Sequence, residues 1–216
     1  TDVNMKNMKD ETPLSLAFDM NLLNVVNIII KNEKFDPIES NANSAFYKAN
    51  DSILKILISS NLVDLNCVLK IPNRNYEGRA FSFLALDNKI GNINFILNQS
   101  TLKVDELSII DAIFVTVYNN NIVLFKTLIK LVNNVVNIKN YKGESIFTSA
   151  VMNNSGDILD EIFQYPNFDS NNYQIVDDFI NLLCNNKEPS IEIMDKILNY
   201  DKDHSHLIDF NKLLHN

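Results

Sequence analysis

The sequence contains little glycine, proline, cysteine or arginine, and no tryptophan. Its 216 residues include 4 Gly, 5 Pro and 2 Cys. So few glycines and prolines exclude a collagen-like or linker-rich chain, and the scarcity of helix breakers favours a mostly helical protein. The hydrophobic share of 46% is enough for a sizeable core. We therefore expect a folded, mainly helical chain of one or two domains.

Positive charge is also scarce. Lys and Arg total 19 against 27 Asp and Glu, which gives a net charge of −8, and the only arginines are Arg74 and Arg79. A protein face that binds nucleic acid needs clustered Lys and Arg against the phosphates. The sequence therefore argues against a nucleic-acid partner.

Long hydrophobic runs are missing. Val25–Ile30 and Ile109–Val117 are interrupted by Asn, Asp or Thr, and neither approaches the roughly 18 apolar residues of a membrane span. No basic-then-apolar leader opens the chain, so no signal peptide is expected. Cys67 and Cys184 are too few for a disulfide framework, which favours a reducing compartment. We expect a cytoplasmic or nuclear protein without membrane contact.

Asparagine, in contrast, is in large excess. It accounts for 35 of the 216 residues, while Lys outnumbers Arg by 17 to 2. An Asn, Ile and Lys excess with little Arg and Gly is the composition that an AT-rich coding sequence produces. We therefore interpret most asparagines as compositional bias rather than as chemistry.

Short apolar helical runs recur along the chain, 28 to 40 residues apart. Each is preceded by a second short apolar stretch and followed by a segment rich in Asn and Asp. The pattern predicts a repeated unit of helix, tight turn, helix and loop. One such pair cannot bury both helix faces alone, so the repetition predicts a solenoid of stacked pairs. The runs contain Val25, Ile53, Ile93, Leu124, Ile158 and Ile193.

Local residues distinguish between the repeat families with this period. The N-terminal segment contains Asp2-Val3-Asn4, then Thr12-Pro13-Leu14-Ser15-Leu16-Ala17. This resembles the ankyrin repeat, with its D-V-N ending and its T-P-L-H-x-A-A helix start. The best internal copy is 136–151, with Gly143, Ser145 and Ala150 in place, and 77–85 is a weaker copy. Further D-V-N-like endings are Asp64-Leu65-Asn66, Asp169-Ser170-Asn171 and Asp209-Phe210-Asn211. The Trp, Gly and Tyr pattern of tetratricopeptide repeats is absent.

The resemblance implies an all-α, ankyrin-like helix-turn-helix solenoid of about six repeats. A single array would then occupy residues 1–216, with residues 1–10 as the tail of a preceding unit. Small alanines are expected where the two helices of a pair meet, at Ala17, Ala85 and Ala150. The predicted helix pairs occupy roughly 12–32, 42–60, 79–99, 108–132, 145–165 and 174–200.

Catalytic and metal-binding motifs do not emerge. No Gly-rich phosphate loop, nucleophile elbow or zinc-type cysteine spacing is present. Asp201–His206 contains ligand-type residues but is better interpreted as a solvated loop, and Asp177-Asp178 as an acidic first helical turn. We predict no catalytic residue, no metal ligand and no cofactor, and hence no enzyme.

The ankyrin resemblance implies that loop tips and first helices form the partner-binding face. Tyr76 and Tyr141 each lie two residues before a loop glycine, and Tyr47 and Tyr118 share a place after a first-helix core. Tyrosine gives a large contact area with few rotors to freeze. The opposing interpretation is that the rings pack on neighbouring loops as framework. The candidate partner-binding residues are Tyr47, Tyr76, Arg79, Tyr118, Tyr141 and Met152.

The function predicted from the sequence is non-catalytic protein–protein binding, as a scaffold or adaptor. Because the chain carries a net charge of −8, we expect a protein partner with a basic or apolar patch. The alternative is a recognition segment of a larger enzyme or effector whose catalytic domain lies elsewhere. The sequence does not indicate an oligomeric state.

Overall fold

The computed structural model describes residues 2–40, 42, 49–70, 76–99, 103–133, 138–165, 168 and 190–203. Within these ranges the chain is mostly helical, with ten α-helices, one short 3₁₀ helix and one two-stranded hairpin. The predicted helical class is therefore confirmed. Contacts divide the chain into two compact units, Thr1–Ala112 and Ile113–Asn216, whereas the sequence predicts a single array.

The described part of the first unit contains five complete helices and the hairpin. Strand β1 (Val68–Lys70) pairs antiparallel with β2 (Glu77–Arg79), with Leu69 opposite Gly78. The helices are α1 (Pro13–Asp19), α2 (Leu23–Ile30), α3 (Asp51–Ser59), α4 (Ala80–Leu86) and α5 (Ile90–Leu97).

The boundary between the units falls inside helix α6 (Glu106–Tyr118). The remaining elements are α7 (Ile122–Leu128), a 3₁₀ turn (Ile129–Leu131), α8 (Ile146–Met152), α9 (Gly156–Ile162) and α10 (Ile191–Asp203). The predicted intervals 12–32, 79–99 and 145–165 each hold two helices, and 108–132 holds α7 and all but the first two residues of α6. The described part of 42–60 holds α3, and that of 174–200 holds α10 except for its last three residues.

Side-chain caps fix the starts of several helices. The Thr12 hydroxyl accepts from the Ser15 N–H and the Ser15 hydroxyl accepts from the Thr12 N–H, a reciprocal capping box ahead of Pro13. Ser145 caps α8 in the same way, by accepting from the Thr148 N–H at 3.0 Å. These bonds satisfy N–H groups that have no partner inside the helix. Short helices therefore begin at defined residues.

Asparagine makes the tight turn between the two helices of a pair. Asn21, Asn88, Asn120 and Asn154 have φ of 57°, 54°, 48° and 53°, in the left-handed region. At Asn88 the backbone N–H donates to the Ala85 carbonyl, and the next N–H donates to the Leu84 carbonyl at 2.8 Å. This is the Schellman end of a helix, which usually needs Gly and admits Asn. The interpretation of asparagine as mere composition is wrong at these four turns.

The side chains of the turn asparagines also reach the next helix pair. The Asn154 carboxamide oxygen accepts from the backbone N–H of Ser190, the residue ahead of α10, at 2.9 Å. The Asn120 amide donates to Asp157 in the first turn of α9 at 3.3 Å. Glycine has the same backbone freedom but cannot make these bonds. Asparagine therefore turns the chain and ties successive pairs together.

Helices that do not belong to the same pair also pack on one another within each unit. Helix α2 contacts α3 and α3 contacts α5, while in the second unit α9 contacts both α7 and α10. Inside the pairs, Ala17, Ala85 and Ala150 are buried, as the sequence predicts. Small side chains allow the two helices of a pair to approach closely.

Candidate protein-binding loops

Two loops in the chain share one sequence pattern and one structure. The Met8 loop (Lys6–Thr12) and the Tyr141 loop (Lys139–Ser145) both read Lys-Asn-x-Lys-x-Glu, followed by Thr or Ser. Each leads directly into the cap of a helix, α1 or α8. The exposed residue at the tip is Met8 in one loop and Tyr141 in the other.

Asn7 anchors the Met8 loop. Its carboxamide oxygen accepts from the backbone N–H groups of Lys9 and Glu11, at 2.9 and 3.0 Å. Its amide donates to the Glu11 carboxylate at 2.9 Å, and its own backbone N–H donates to the Glu11 carbonyl. Asp10 closes the turn with a φ of 61°. One asparagine thus fixes the backbone on both sides of Met8.

Asn140 makes the same set of bonds in the Tyr141 loop. Its carboxamide oxygen accepts from the N–H groups of Lys142 and Glu144, at 2.9 and 3.0 Å. Its amide donates to the Glu144 carboxylate at 2.7 Å. Gly143, with a φ of 78°, takes the place that Asp10 holds in the other loop. The two loops are therefore built alike from equivalent residues.

Both loops present a large apolar side chain to solvent at the same position. Met8 is fully exposed, and Tyr141 is 83% exposed with its ring close to its neighbour Lys142, whose Nζ lies 5.6 Å from the ring centroid. Single exposed apolar residues are common on proteins. Here the exposed position repeats on a backbone held by identical bonds, which is the arrangement expected of a binding tip.

Tyr76 has a different environment from Tyr141, although both precede a loop glycine by two residues. Its hydroxyl lies 2.7 Å from the Ser82 hydroxyl, and its ring packs edge-on to Phe83 with centroids 5.0 Å apart. The ring covers Gly78 so closely that a Cβ there would lie 2.4 Å from the Tyr76 hydroxyl. The structure therefore places Tyr76 against the framework of its own loop.

Arg79 is held by groups of its own unit. Its guanidinium donates to the Asn66 carbonyl at 2.7 Å and lies 3.7 Å from the Asp105 carboxylate and 3.8 Å from that of Asp111. The Asp111 carboxylate also accepts from the Arg79 backbone N–H at 3.3 Å. Arg79 thus ties the end of the hairpin to α6 and the residues before it.

Burial raises the pKa of the Asp111 carboxyl above its ordinary value of 3.8. The hydrogen bond from the Arg79 backbone and the guanidinium charge lower it, and the negative charge of Asp105 raises it again. The desolvation of a half-buried carboxylate is the largest of these effects. Ionisation of Asp111 is therefore less favourable in the folded state than in the unfolded state.

Tyr118 and Met152 occupy equivalent positions, each two residues before a left-handed turn asparagine. Tyr118 ends α6 and is exposed, while Met152 ends α8 and is half-buried. Tyr47 lies outside the described residues. Of the five predicted residues that the structure describes, Tyr141 and Tyr118 have largely exposed side chains, while Arg79 and Tyr76 are bound within the fold.

Direct comparison of residues 3–12 with 136–145 would have identified Met8 as the counterpart of Tyr141. Both segments begin Val-Asn and continue with the shared Lys-Asn-x-Lys-x-Glu pattern. This match spans ten positions and includes both anchoring asparagines.

Nucleophilic and metal-binding chemistry was sought in the same part of the chain. Burial first, and the charge of Asp64 second, raise the pKa of the Cys67 thiol to about 11, against a lowering by its backbone hydrogen bond. That thiol is protonated at neutral pH and is a poor nucleophile. Among the described residues no three His, Cys, Asp or Glu side chains cluster as metal ligands. Cys184, Asp177 and Asp178 lie outside those residues, as do the histidines.

Comparison with known proteins gave no relative. No protein-family model matches the chain, and a search of curated proteins found no significant match. None of the described helices is both long enough and apolar enough to cross a membrane.

Proposed function

We propose that this protein is a divergent ankyrin-like array that binds another protein, without catalysis, through the Met8 loop and the Tyr141 loop. The observation that carries the proposal is the same anchored loop built twice, each time with an exposed apolar side chain at its tip. An array of this kind is an all-α solenoid, and its loops offer binding residues on a rigid scaffold.

Three structural features support the ankyrin-like assignment. Helices of different pairs pack on one another in each unit. The helix pairs turn at left-handed asparagines, in the helix ending that glycine usually forms. Asn4 and Asn66 each end an Asp-x-Asn segment. Their side-chain amides donate to backbone carbonyls in the loop that follows the next helix pair. Each feature is expected of a repeated unit of helix, turn, helix and loop.

Preorganisation is the physical reason to assign binding to these tips. A loop that is already held by its asparagine loses little backbone freedom when a partner binds. Methionine adapts to irregular apolar surfaces, and tyrosine gives contact area with few rotors. Both suit an anchor residue that enters a pocket on another protein.

Charge around the tips refines the partner's chemistry. Lys9 follows Met8 and Lys142 follows Tyr141, and both lysines are exposed. The net charge of −8 otherwise favours partners with basic surface. We propose an apolar pocket on the partner with an acidic group at its edge, where a lysine ammonium and the anchor side chain bind together.

Photo-crosslinking tests where the partner lies. A benzophenone amino acid replaces Met8 in one variant and Tyr141 in another, and the exposed Val123 of α7 in a matched control. In lysate of the source cell, the tip variants are expected to capture one common protein that the Val123 variant does not. Equal capture by all three variants, or none by the tip variants, would remove the tips from the proposed interface.

Affinity measurements then test the anchor role. Tyr141→Ala should weaken binding of the captured protein by about 2 kcal/mol, roughly thirtyfold, while the melting temperature stays unchanged because the ring is exposed. Tyr76→Ala is the matched framework control. It should lower the melting temperature, because it removes the contacts with Ser82 and Phe83, and leave the affinity of the folded protein intact.

A further inference from the structure

The Met8 loop and the Tyr141 loop differ in the chemistry of their tips, although their backbones are held alike. Met8 is fully exposed, and Asn7 beside it accepts from the backbone N–H groups of Lys9 and Glu11. Peroxides oxidise a methionine thioether to a sulfoxide, which is polar. Tyr141 has no thioether. One of the two tips therefore contains an oxidisable sulfur atom at the position where its counterpart has none.

Exposure is a property of the tip position in both loops. Tyr141 follows α6 and α7 in the chain and is nevertheless 83% exposed, so an exposed tip occurs with helices before it as well as after it. Asn7 and Asn140 fix the backbone on both sides of their tips. The backbone therefore has little freedom to withdraw Met8 from solvent.

Met8 is also the most exposed of the methionines. Met5 and Met20 are 65% and 66% exposed, and Met152 and Met194 are half-buried. A peroxide must reach the sulfur atom in order to react with it. The order of exposure therefore predicts that Met8 is oxidised first.

Oxidation changes the property that suits Met8 to an apolar pocket. An electron pair of the sulfur attacks one peroxide oxygen, the S–O bond forms, the O–O bond breaks, and the peroxide leaves as an alcohol or as water. The sulfur is oxidised and the peroxide is reduced. The product places a polar oxygen on the side chain, and burial of a polar group without a hydrogen-bond partner costs free energy. Sulfoxide reductases restore the thioether at the expense of a dithiol.

We propose that oxidation of Met8 by a peroxide disables the Met8 loop as a binding tip, and that reduction of the sulfoxide restores it. This regulation rests on the proposed function of the two loops. The Tyr141 loop keeps its anchor in the oxidised protein, so oxidation weakens binding of the partner and does not abolish it.

Graded treatment with hydrogen peroxide, followed by peptide mapping in a mass spectrometer, tests the order of oxidation without any partner. Met8 sulfoxide should form before the sulfoxides of Met5 and Met20. The affinity for the protein captured by both tip variants is then measured before and after treatment. Oxidised wild-type protein should bind about tenfold more weakly, and a sulfoxide reductase with a dithiol should return the original affinity.

Two leucine variants assign the effect to one sulfur atom. Met8→Leu has no sulfur at the tip, so peroxide should leave its affinity where it was before treatment, although Met5 and Met20 are still oxidised. Met5→Leu, the matched control outside the loop, should lose affinity on oxidation as the wild type does. Since Met8 and Met5 are exposed, both variants should keep the wild-type circular dichroism spectrum.

The outcomes separate this regulation from the proposed function. Earlier oxidation of Met5 or Met20, or equal affinity of reduced and oxidised wild-type protein, would overturn the regulation and leave the binding role of the loops standing. An equal loss of affinity in Met8→Leu would also overturn it, because another methionine would then be responsible. Failure of the reduced wild-type protein to bind the captured protein would instead remove the proposed function, and the regulation with it.

Discussion

The side-chain oxygen of Asn66 accepts a hydrogen bond from the backbone N–H of Asp105 at 2.9 Å. The same oxygen accepts from the buried Ser108 hydroxyl at 3.0 Å, and the Asn66 amide donates to the Lys103 carbonyl at 2.9 Å. Asp64 holds the asparagine in place by accepting from its backbone N–H. One side chain thus joins two loops that are distant in the sequence.

Asn4 makes an equivalent set of hydrogen bonds next to the first helix pair. Its amide donates to the Lys34 carbonyl, and its carboxamide oxygen accepts from the Asp36 N–H at 3.0 Å and the Ser40 hydroxyl at 2.7 Å. Asp2 accepts from its backbone N–H, as Asp64 does for Asn66. In both places the Asp-x-Asn segment therefore connects two loops that are separated in the sequence by a helix pair, and at Asn66 by the hairpin as well.

Replacement of Asn66 by Ala should destabilise the protein by about 1–3 kcal/mol. The change removes three hydrogen bonds and leaves the Ser108 hydroxyl without this acceptor in a buried position. Urea unfolding followed by circular dichroism measures the loss. Asn94→Ala, at an exposed position of α5, is the matched control and should stay within about 0.5 kcal/mol of the wild type. Equal stability of the two variants would show that the hydrogen bonds of the Asn66 side chain contribute nothing to the stability of the fold.

At Asn154 the contribution of a turn asparagine to stability can be divided into a backbone part and a side-chain part. Asn154→Gly keeps the left-handed turn but loses the bond to the Ser190 N–H, so we expect a loss of about 0.5–1.5 kcal/mol. Asn154→Ala loses the bond and also places a Cβ in a left-handed backbone, which adds about 1–2 kcal/mol. Thermal unfolding should rank wild type above Gly and Gly above Ala. An Ala variant at least as stable as the Gly variant contradicts the turn assignment.

Asn92 is a site where a substitution should stabilise the fold. It is buried, its carboxamide oxygen has no hydrogen-bond partner among the described residues, and its amide bonds to the exposed Asp51. Val25 occupies the equivalent position of the first pair. Asn92→Val should therefore raise the free energy of unfolding by about 1 kcal/mol, since Asp51 regains water when the amide is removed. Asn92→Asp, which keeps the size and adds a buried charge, is the opposite control and should destabilise.

Asp111 should make the stability of the fold depend on pH. The pKa of Asp111 is raised in the folded state. Its favourable contribution to folding stability is therefore complete at a pH below the ordinary pKa of 3.8, and is lost as the pH rises through the folded-state pKa. Asp111→Asn retains an acceptor for the Arg79 N–H and removes the titration. The stability of Asp111→Asn relative to wild type should therefore increase with pH over that range. A difference that stays constant with pH, or falls, would contradict this account.

The sequence determined the helical class and the local devices of the fold. Apolar runs at a regular spacing predicted the helix pairs, because a helix buries one face at a period of 3.6 residues. Thr12 and Pro13 predicted the start of α1. Ala85 and Ala150 were predicted to lie where the two helices of a pair meet, and both side chains are buried. These properties depend on residues close together in the chain.

Tertiary structure decided which side chains remain free for a partner. Tyr76 and Tyr141 have the same spacing to glycine, yet Ser82 and Phe83 hold one ring while the other projects into solvent. Ile158 of α9 is buried, whereas Val25, at the equivalent position of the first helix pair, is exposed. Exposure depends on which elements pack against a side chain in three dimensions, and the local sequence carries no record of those contacts.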